Sequence, residues 1–585
     1  MSEHKNCKQC GNDFIVEEED LKFYDKISPT FAPPASAGAE ALRAGGKKYP
    51  IPTPTLCPAC RNQRRLSWRN ERNLFLRKCD KSGKRIVACY PEDSEYKIYA
   101  IDEWWKDDWQ ATDFSVDFDP NQSFINQLHE LQKKVPRISL INVQSENSDF
   151  CNQAFAAKDS YMAFDSGWSE GVLYSRTIYK SKDIVDCFNC RSNCSYIYEC
   201  IDCQNISNSS HCISSSDSNN CHYCYDVHGS KDCILSSNLR NKQYFIENKE
   251  YSKEEYEAKK KEFNLDSYRS RKELKTRFLD MMKNKSIHKY ALNEKCEDCS
   301  GNNLSNSKNV KDSYGAGNCE DSKFLYYSIW LKDTYDDDFS GSDASCELNY
   351  ENIGCHQPYS CKFCFSCWTG SANLFYCDFC HSSKDCFGCV GLRNKQYCIL
   401  NKQYTKEEYE KKVAEIIEKM ISDKEWGEFF PIEMSPHSYN LSMAGNYYPL
   451  TKSEVEEKGY RWKDKVDTLV PSDNYEIPDK IAEVKEDILG KVLKCDITNR
   501  PFKIQPRELA FYMQMGIPIP RIHFDQRYLD RFKLLNPFIL HHRQCMCEES
   551  GHDHEGKCKV EFETTYAPER PEKIYCEDCY QKSVI

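Results

Sequence analysis

Long apolar runs are missing from this chain of 585 residues. None approaches the roughly 18 residues needed to cross a bilayer, so no membrane partner is expected. The start, MSEHKNCKQC, lacks a basic stretch followed by an apolar one, which argues against a secretory signal and for the cytoplasm. No phosphate-cradling glycine loop is present, and no His/Ser or Cys/His pair stands beside an orienting acid. No catalytic residues are assigned, and an enzyme is the less favoured expectation. Basic residues are in the minority, 80 against 91 acids, for a net charge of −11. Aromatics are plentiful, with 37 Tyr, 29 Phe and 9 Trp, which excludes a disordered chain. The length suggests about four structural units. Cysteine stands out, and its count of 35 is odd, so complete intrachain pairing is excluded. In a reducing compartment cysteines mean metal, packing or redox chemistry.

The two ends repeat each other. Phe14, Leu21, Phe23 and Tyr24 recur as Phe502, Leu509, Phe511 and Tyr512 at an offset of 488. Ile51, Pro52, Pro54, Arg61, Arg65, Asn70, Leu74 and Cys79 recur as Ile517, Pro518, Pro520, Arg527, Arg531, Asn536, Leu540 and Cys545 at an offset of 466. The 22-residue difference is an insertion within Ser28–Tyr49, whose Pro, Ala and Gly content predicts a flexible loop. One module therefore opens and closes the chain.

The copies carry different metal ligands. Cys7-x-x-Cys10 and Cys57-x-x-Cys60 are two knuckles whose four thiolates suit tetrahedral zinc. In the second copy the matching positions are Cys495, Thr498, His523 and Gln526, too few ligands for a site. Its other half is richer, and Cys547, Cys558, Cys576 and Cys579 are the expected ligands, with Cys545 or His554 as a substitute member. Cys79 and Cys89 are expected to be buried thiols. About two zinc ions per chain follow, with more if middle cysteines also bind.

The stretch Cys7-x-x-Cys10-Gly11-x-x-Phe14, then Asp20-x-x-Phe23-Tyr24, then Pro54-x-x-Cys57-Pro58-x-Cys60-Arg61 resembles the probable zinc-ribbon domain of small bacterial proteins. The resemblance spans Cys7 to Arg61, broken by the insertion, and implies zinc binding without naming an activity. The whole layout resembles bacterial proteins with zinc ribbons flanking a Cys-rich repeat.

Between Lys47 and Arg85 stand twelve basic residues and two acids, Glu71 and Asp80. Arg61, Arg65, Arg69 and Arg72 share one helical face, and Arg64 lies beside them. Such a strip is a footprint for RNA, DNA or a ribonucleoprotein. The alternative is internal pairing with acids such as Asp102, Glu103, Asp107 and Asp108. Asn121–Lys134 reads as an amphipathic helix.

A second repeat lies in the middle. Asp232-Cys233, Leu239–Tyr244 and Lys253–Tyr256 return as Asp385-Cys386, Leu392–Tyr397 and Lys406–Tyr409 at an offset of 153. Ser252-x-x-Glu255 and Thr405-x-x-Glu408 predict capped helices closing each copy. Lys-Asp and Lys-Asn pairs 24 residues apart suggest one coil of a solenoid, and cysteines also recur at nine. The predicted fold is a β-rich α+β, multidomain chain: ribbons at both ends flanking a duplicated short-strand β-solenoid with capping helices. The divisions are 1–120, 121–148 (helical linker), 149–263, 264–295 (helical linker), 296–420, 421–490 (linker) and 491–585. Many middle cysteines have CxxC spacing, but positions i and i+3 of a strand face opposite sides, which favours packing over metal. Asp336-Asp337-Asp338 reads as a solvated turn.

The expected function is a non-catalytic zinc-binding scaffold, touching nucleic acid through the strip and a protein partner through the solenoid face. The alternatives are an iron–sulfur or thiol redox protein, and a solenoid polysaccharide hydrolase or lyase.

Overall fold

The computed structural model describes residues 2–32, 46–464 and 471–584, with the side chains of 343–345 left out. Most of the insertion, 33–45, lies outside the described residues. The chain is a multidomain α+β protein with many short strands, and among the described residues no sheet closes into a barrel. It divides into two compact units. One joins Met1–Ser139 to Ala291–Lys463, the other Leu140–Tyr290 to Asp464–Ile585. Each unit thus combines one terminal module with the middle repeat that is remote from it in sequence.

The middle repeats form parallel ladders. Phe164 pairs Arg176, which pairs Phe188, and Lys231 pairs Gln243, a register of 12 residues. The second repeat behaves alike, with Ala372 against Lys384 and Lys384 against Gln396. The coil is therefore half the length expected from the spacing of the lysine pairs. Within it nearly every third residue has a left-handed backbone, as at Asp183, Asp186 and Asn189 (φ +54, +55 and +54°). Asn and Asp adopt this region more readily than other side-chain-bearing residues, which explains the Asn/Asp-rich sequence.

A left-handed residue at every third position changes which side chains point inward. The inward period becomes three instead of two, so both thiols of a CxxC enter the core. Cys187, Cys190, Cys200 and Cys203 are all buried in one cluster with Ile184 and Ile197. This corrects the strand argument, which split such pairs between faces. It also explains recurrence at nine, three inward steps. Inward Ser and Cys do the same job: Ser175 donates to the Leu173 carbonyl (2.8 Å) and accepts the Cys187 amide (2.9 Å). Cys187 in turn donates to the Val185 carbonyl (3.2 Å) and accepts the Cys200 amide (3.3 Å). A small side chain with one donor and one acceptor satisfies the interior, which leucine could not do.

Both capped helices form, Lys253–Glu262 behind Ser252 and Lys406–Asp423 behind Thr405, each with its reciprocal capping box. The amphipathic helix is Phe124–Lys134, capped by Ser123.

Asp337 occupies an inward position, fully buried, with Asn352 Nδ2 at 3.3 Å. It is a strand residue in Tyr335–Asp338, not part of a solvated turn, because the triplet period carries it into the core. Desolvation pushes its carboxyl up to about 8, so it stays protonated at neutral pH. The unfolded group ionises near pH 4, so stability from this residue falls as pH rises from about 4 to 8. Asp337→Asn is expected to raise the urea midpoint more at pH 8.5 than at pH 5. An equal effect at both pH values would contradict a buried neutral acid.

Candidate metal centres and buried arginine clusters

The first module begins with a hairpin, Glu3–Asn6 against Asp13–Val16. Gly11 at φ +76° closes the turn that brings Cys10 back beside Cys7. The second knuckle sits at a helix start, with Cys57 as N-cap of Pro58–Leu66. The Sγ atoms of Cys7, Cys10, Cys57 and Cys60 lie within 4.8 Å of one another, and Cys10 and Cys57 are 3.8 Å apart. Tetrahedral ligands about 2.3 Å from an ion are separated by about 3.8 Å. The hydrogen bond from Cys60 pulls the Cys57 thiol down, and the same contact pushes Cys60 up. The cluster can hold a metal ion.

In the second module Cys558, Cys576 and Cys579 come together with Cys545, within 4.8 Å of one another. Cys558 and Cys576 are 4.0 Å apart. Cys576 is the N-cap of Glu577–Ser583, repeating the arrangement at Cys57. Cys547, expected in this set, instead joins His552, His554 and Cys579. The reason is local. Cys545 pairs its amide with Val560 across the hairpin His541–Gln544/Glu561–Thr564, while Cys547 opens the 548–557 loop that bears the histidines. Cys495 accepts the amides of His523 (3.2 Å) and Thr498 (3.5 Å). Cys79 does the same with Ser82 (3.4 Å) and Ala100 (3.3 Å).

The arginine strip does not face solvent. Arg61, Arg64, Arg65, Arg69 and Arg72 expose 1, 7, 0, 3 and 8 % of their surface. The acids that Arg61, Arg64 and Arg65 meet lie mainly on the second ladder, and Asp102, Asp107 and their neighbours are not among them. Arg61 meets Asp336 at 2.9 Å, and Arg65 spans Asp336 (3.1 Å) and Asp338 (3.0 Å). Arg64 reaches Glu351 (2.8 Å) and Glu428 (2.7 Å). Arg69 pairs with Glu71 and lies over the Phe339 ring. Burial costs these guanidiniums their hydration, but the facing carboxylates hold Arg61 and Arg65 well above the ordinary arginine range. Lys81, further along the strip, does use the predicted acids, Glu103 and Asp108.

The second unit repeats much of this docking. Arg527 and Arg531, the counterparts of Arg61 and Arg65, meet Asp186 at 2.9 and 2.8 Å. Traced coil by coil from Cys233/Cys386, Asp186 falls on Asp336, Glu199 on Glu351, Tyr174 on Phe324 and Tyr198 on Tyr350. Arg527 lies over Tyr174 as Arg61 lies over Phe324, at 5.2 and 5.1 Å. Tyr512 meets Tyr198 edge-on as Tyr24 meets Tyr350. Arg527 donates to the Ile522 carbonyl as Arg61 does to Leu56, at 2.9 and 2.8 Å. Two partners differ: Asp338 is matched by Phe188, over whose ring Arg531 lies at 5.2 Å. Arg64 is replaced by Asp530, so Glu199 takes Lys275 and His211 instead, at 2.5 and 3.1 Å. Burial alone would raise Glu199, but the Lys275 ammonium and the contact with His211 hold it well below the ordinary carboxylate range.

Sequence reasoning did not identify the acids that receive the arginines as their partners. No fixed offset marks them: Asp186 and Asp336 are 150 residues apart and Glu199 and Glu351 are 152, because the ladder step after Asp336 is 15 residues and the step after Asp186 is 13.

No known protein family matches the chain, and no curated protein is detectably similar to it. Among solved structures it is similar to the crystal structure described as a "putative acetyltransferase" from Desulfovibrio desulfuricans G20. The identity is 9 %, over 40 % of this chain and 66 % of that one, with a TM-score of 0.11. That score is too low to carry an argument about fold or activity.

Proposed function

We propose that the protein is a non-catalytic zinc-binding scaffold, built from two zinc-ribbon modules that each clamp one half of a duplicated β-solenoid. The observation that carries this reading is the repeated docking of an arginine helix onto ladder carboxylates, Asp336 and Asp338 in the first unit and Asp186 in the second, in modules that each hold a four-cysteine cluster. All-thiolate tetrahedral sets favour zinc or iron–sulfur among biological metals. Four thiolates that close the coordination shell, two of them from a helix N-terminus, favour a structural ion. Burial of the strip supports internal pairing over contact with RNA, DNA or a ribonucleoprotein. Occupation of Asp336, Asp338 and Glu351 by arginines speaks against their use as polysaccharide-cleaving acids. The ladder faces remain the surface for a protein partner.

Limited proteolysis with and without a zinc chelator tests the reading. Chelation is expected to make residues 2–32 and 541–584 cleavable while both ladders persist. Identical digestion patterns would contradict metal-pinned modules.

A further inference from the structure

The cluster in the second module is larger than one ion needs. Its two ligand groups are Cys545, Cys558, Cys576 and Cys579, and Cys547, His552, His554 and Cys579, with the Cys579 thiol common to both. In each group the ligand atoms lie within 4.8 Å of one another. We propose that Cys547, His552, His554 and Cys579 hold a second divalent ion beside the ion of the four-cysteine group, with the Cys579 thiolate bridging the pair.

The histidine geometry points to a ligand. His552 turns Nδ1 to the Cys547 sulfur at 3.1 Å, while its Nε2 faces Glu549 at 3.6 Å. His554 turns Nε2 to the Cys579 sulfur at 3.4 Å, and its Nδ1 lies 2.8 Å from the Gly556 carbonyl. Each ring thus aims one nitrogen at the cluster; the other nitrogen of His554 hydrogen-bonds a carbonyl, and that of His552 faces the Glu549 carboxylate. A metal-bound histidine needs this arrangement, because the outer N–H fixes the tautomer that leaves the inner lone pair free. Glu549 is itself held by Tyr575 (3.1 Å) and Ser583 (2.9 Å), so the outer partner is fixed as well.

Charge and access agree. Five thiolates and two neutral imidazoles carry one charge more than two divalent ions supply. Lys557, Lys559 and Lys582 line the opening together with Asp553, Glu555 and Asp578, and Lys582 pairs with Asp553 at 2.6 Å. Both histidines are half-buried, which leaves a path for entry. Among the described residues, the four cysteines of the first module have no such histidine loop beside them.

This inference rests on the four-cysteine reading above, and the test separates the two. Elemental analysis of the full chain is expected to give three zinc ions, and the double variant His552→Ala/His554→Ala two. Cadmium NMR of the cadmium-loaded protein is expected to show two mutually coupled signals, of which one, and with it the coupling, is lost in the double variant. A count that does not fall in the variant, or uncoupled cadmium signals, would overturn the bridged pair. Fewer than two ions in the unaltered protein would overturn the four-cysteine reading with it.

Discussion

Arg65→Ala is expected to destabilise the first unit by about 3–5 kcal/mol, the cost of removing one partner from a buried ion cluster. The side chain is fully buried and spans two carboxylates, Asp336 and Asp338, with Glu351 at 3.7 Å. Truncation leaves Asp336 and Glu351 to Arg61 and Arg64 and takes from Asp338 the arginine that pairs with it, in a place water does not reach. Burial has already pushed Asp338 up to about 7 against the pull of Arg65, so without the arginine it takes a proton instead of staying charged. Urea unfolding, with hydrogen exchange of Pro58–Leu66 as local readout, measures the loss. The double variant Arg65→Met/Asp338→Asn is expected to recover part of it, because replacing both partners removes the uncompensated charge. A loss under about 1 kcal/mol would mean that the pairs are exposed ones in effect. Arg531→Ala should act in the same direction on the second unit, with a smaller loss, since Arg527 still faces Asp186.

Cys57→Ser is expected to remove one zinc ion and unfold the first module. The knuckle hairpin has two four-residue strands, and the small cluster around the thiols contains only Leu56 and the partly buried Phe14. Apolar burial on that scale is far below the roughly 10–16 kcal/mol that a structural zinc site supplies. Helix Pro58–Leu66 starts at Cys57, so loss of the ion also loosens the scaffold that holds Arg61 and Arg65 in register. The variant is expected to show the Arg65→Ala phenotype in addition to its missing metal. Full zinc content with wild-type hydrogen exchange would contradict this coupling.

The terminal clusters were legible because ligand spacing is a local property. Cys7, Cys10, Cys57 and Cys60 need only two tight turns, and CxxC encodes each turn directly. Cys545 was harder to separate from Cys547, since a Cys-x-Cys pair does not say which sulfur a distant loop will claim. His552 and His554 on that loop were the signal. The middle repeat was legible as a duplication, and its capping boxes marked both closing helices. Its inward period was not, because alternation every two residues holds only while each residue stays in the β region. A left-handed residue at every third place resets the count, and the trace of that in the sequence is Asn and Asp recurring at threes. The arginines were legible as a charged strip, while their burial depended on acids about 270 residues away in sequence, as for Arg65 and Asp338. Composition along one segment cannot see such partners. The odd and abundant cysteines therefore divide by neighbours: thiols facing thiols in the clusters of the two terminal modules, and thiols facing backbone amides and carbonyls at Cys79 and Cys495 and through the middle repeats.

The most direct test is elemental analysis with a visible spectrum of the full chain, purified without oxygen. Zinc as the sole bound metal, at no fewer than two ions per chain, with no charge-transfer absorption, is the predicted result. Iron in stoichiometric amount with visible absorption, or a chain without bound metal, would contradict the zinc-pinned scaffold.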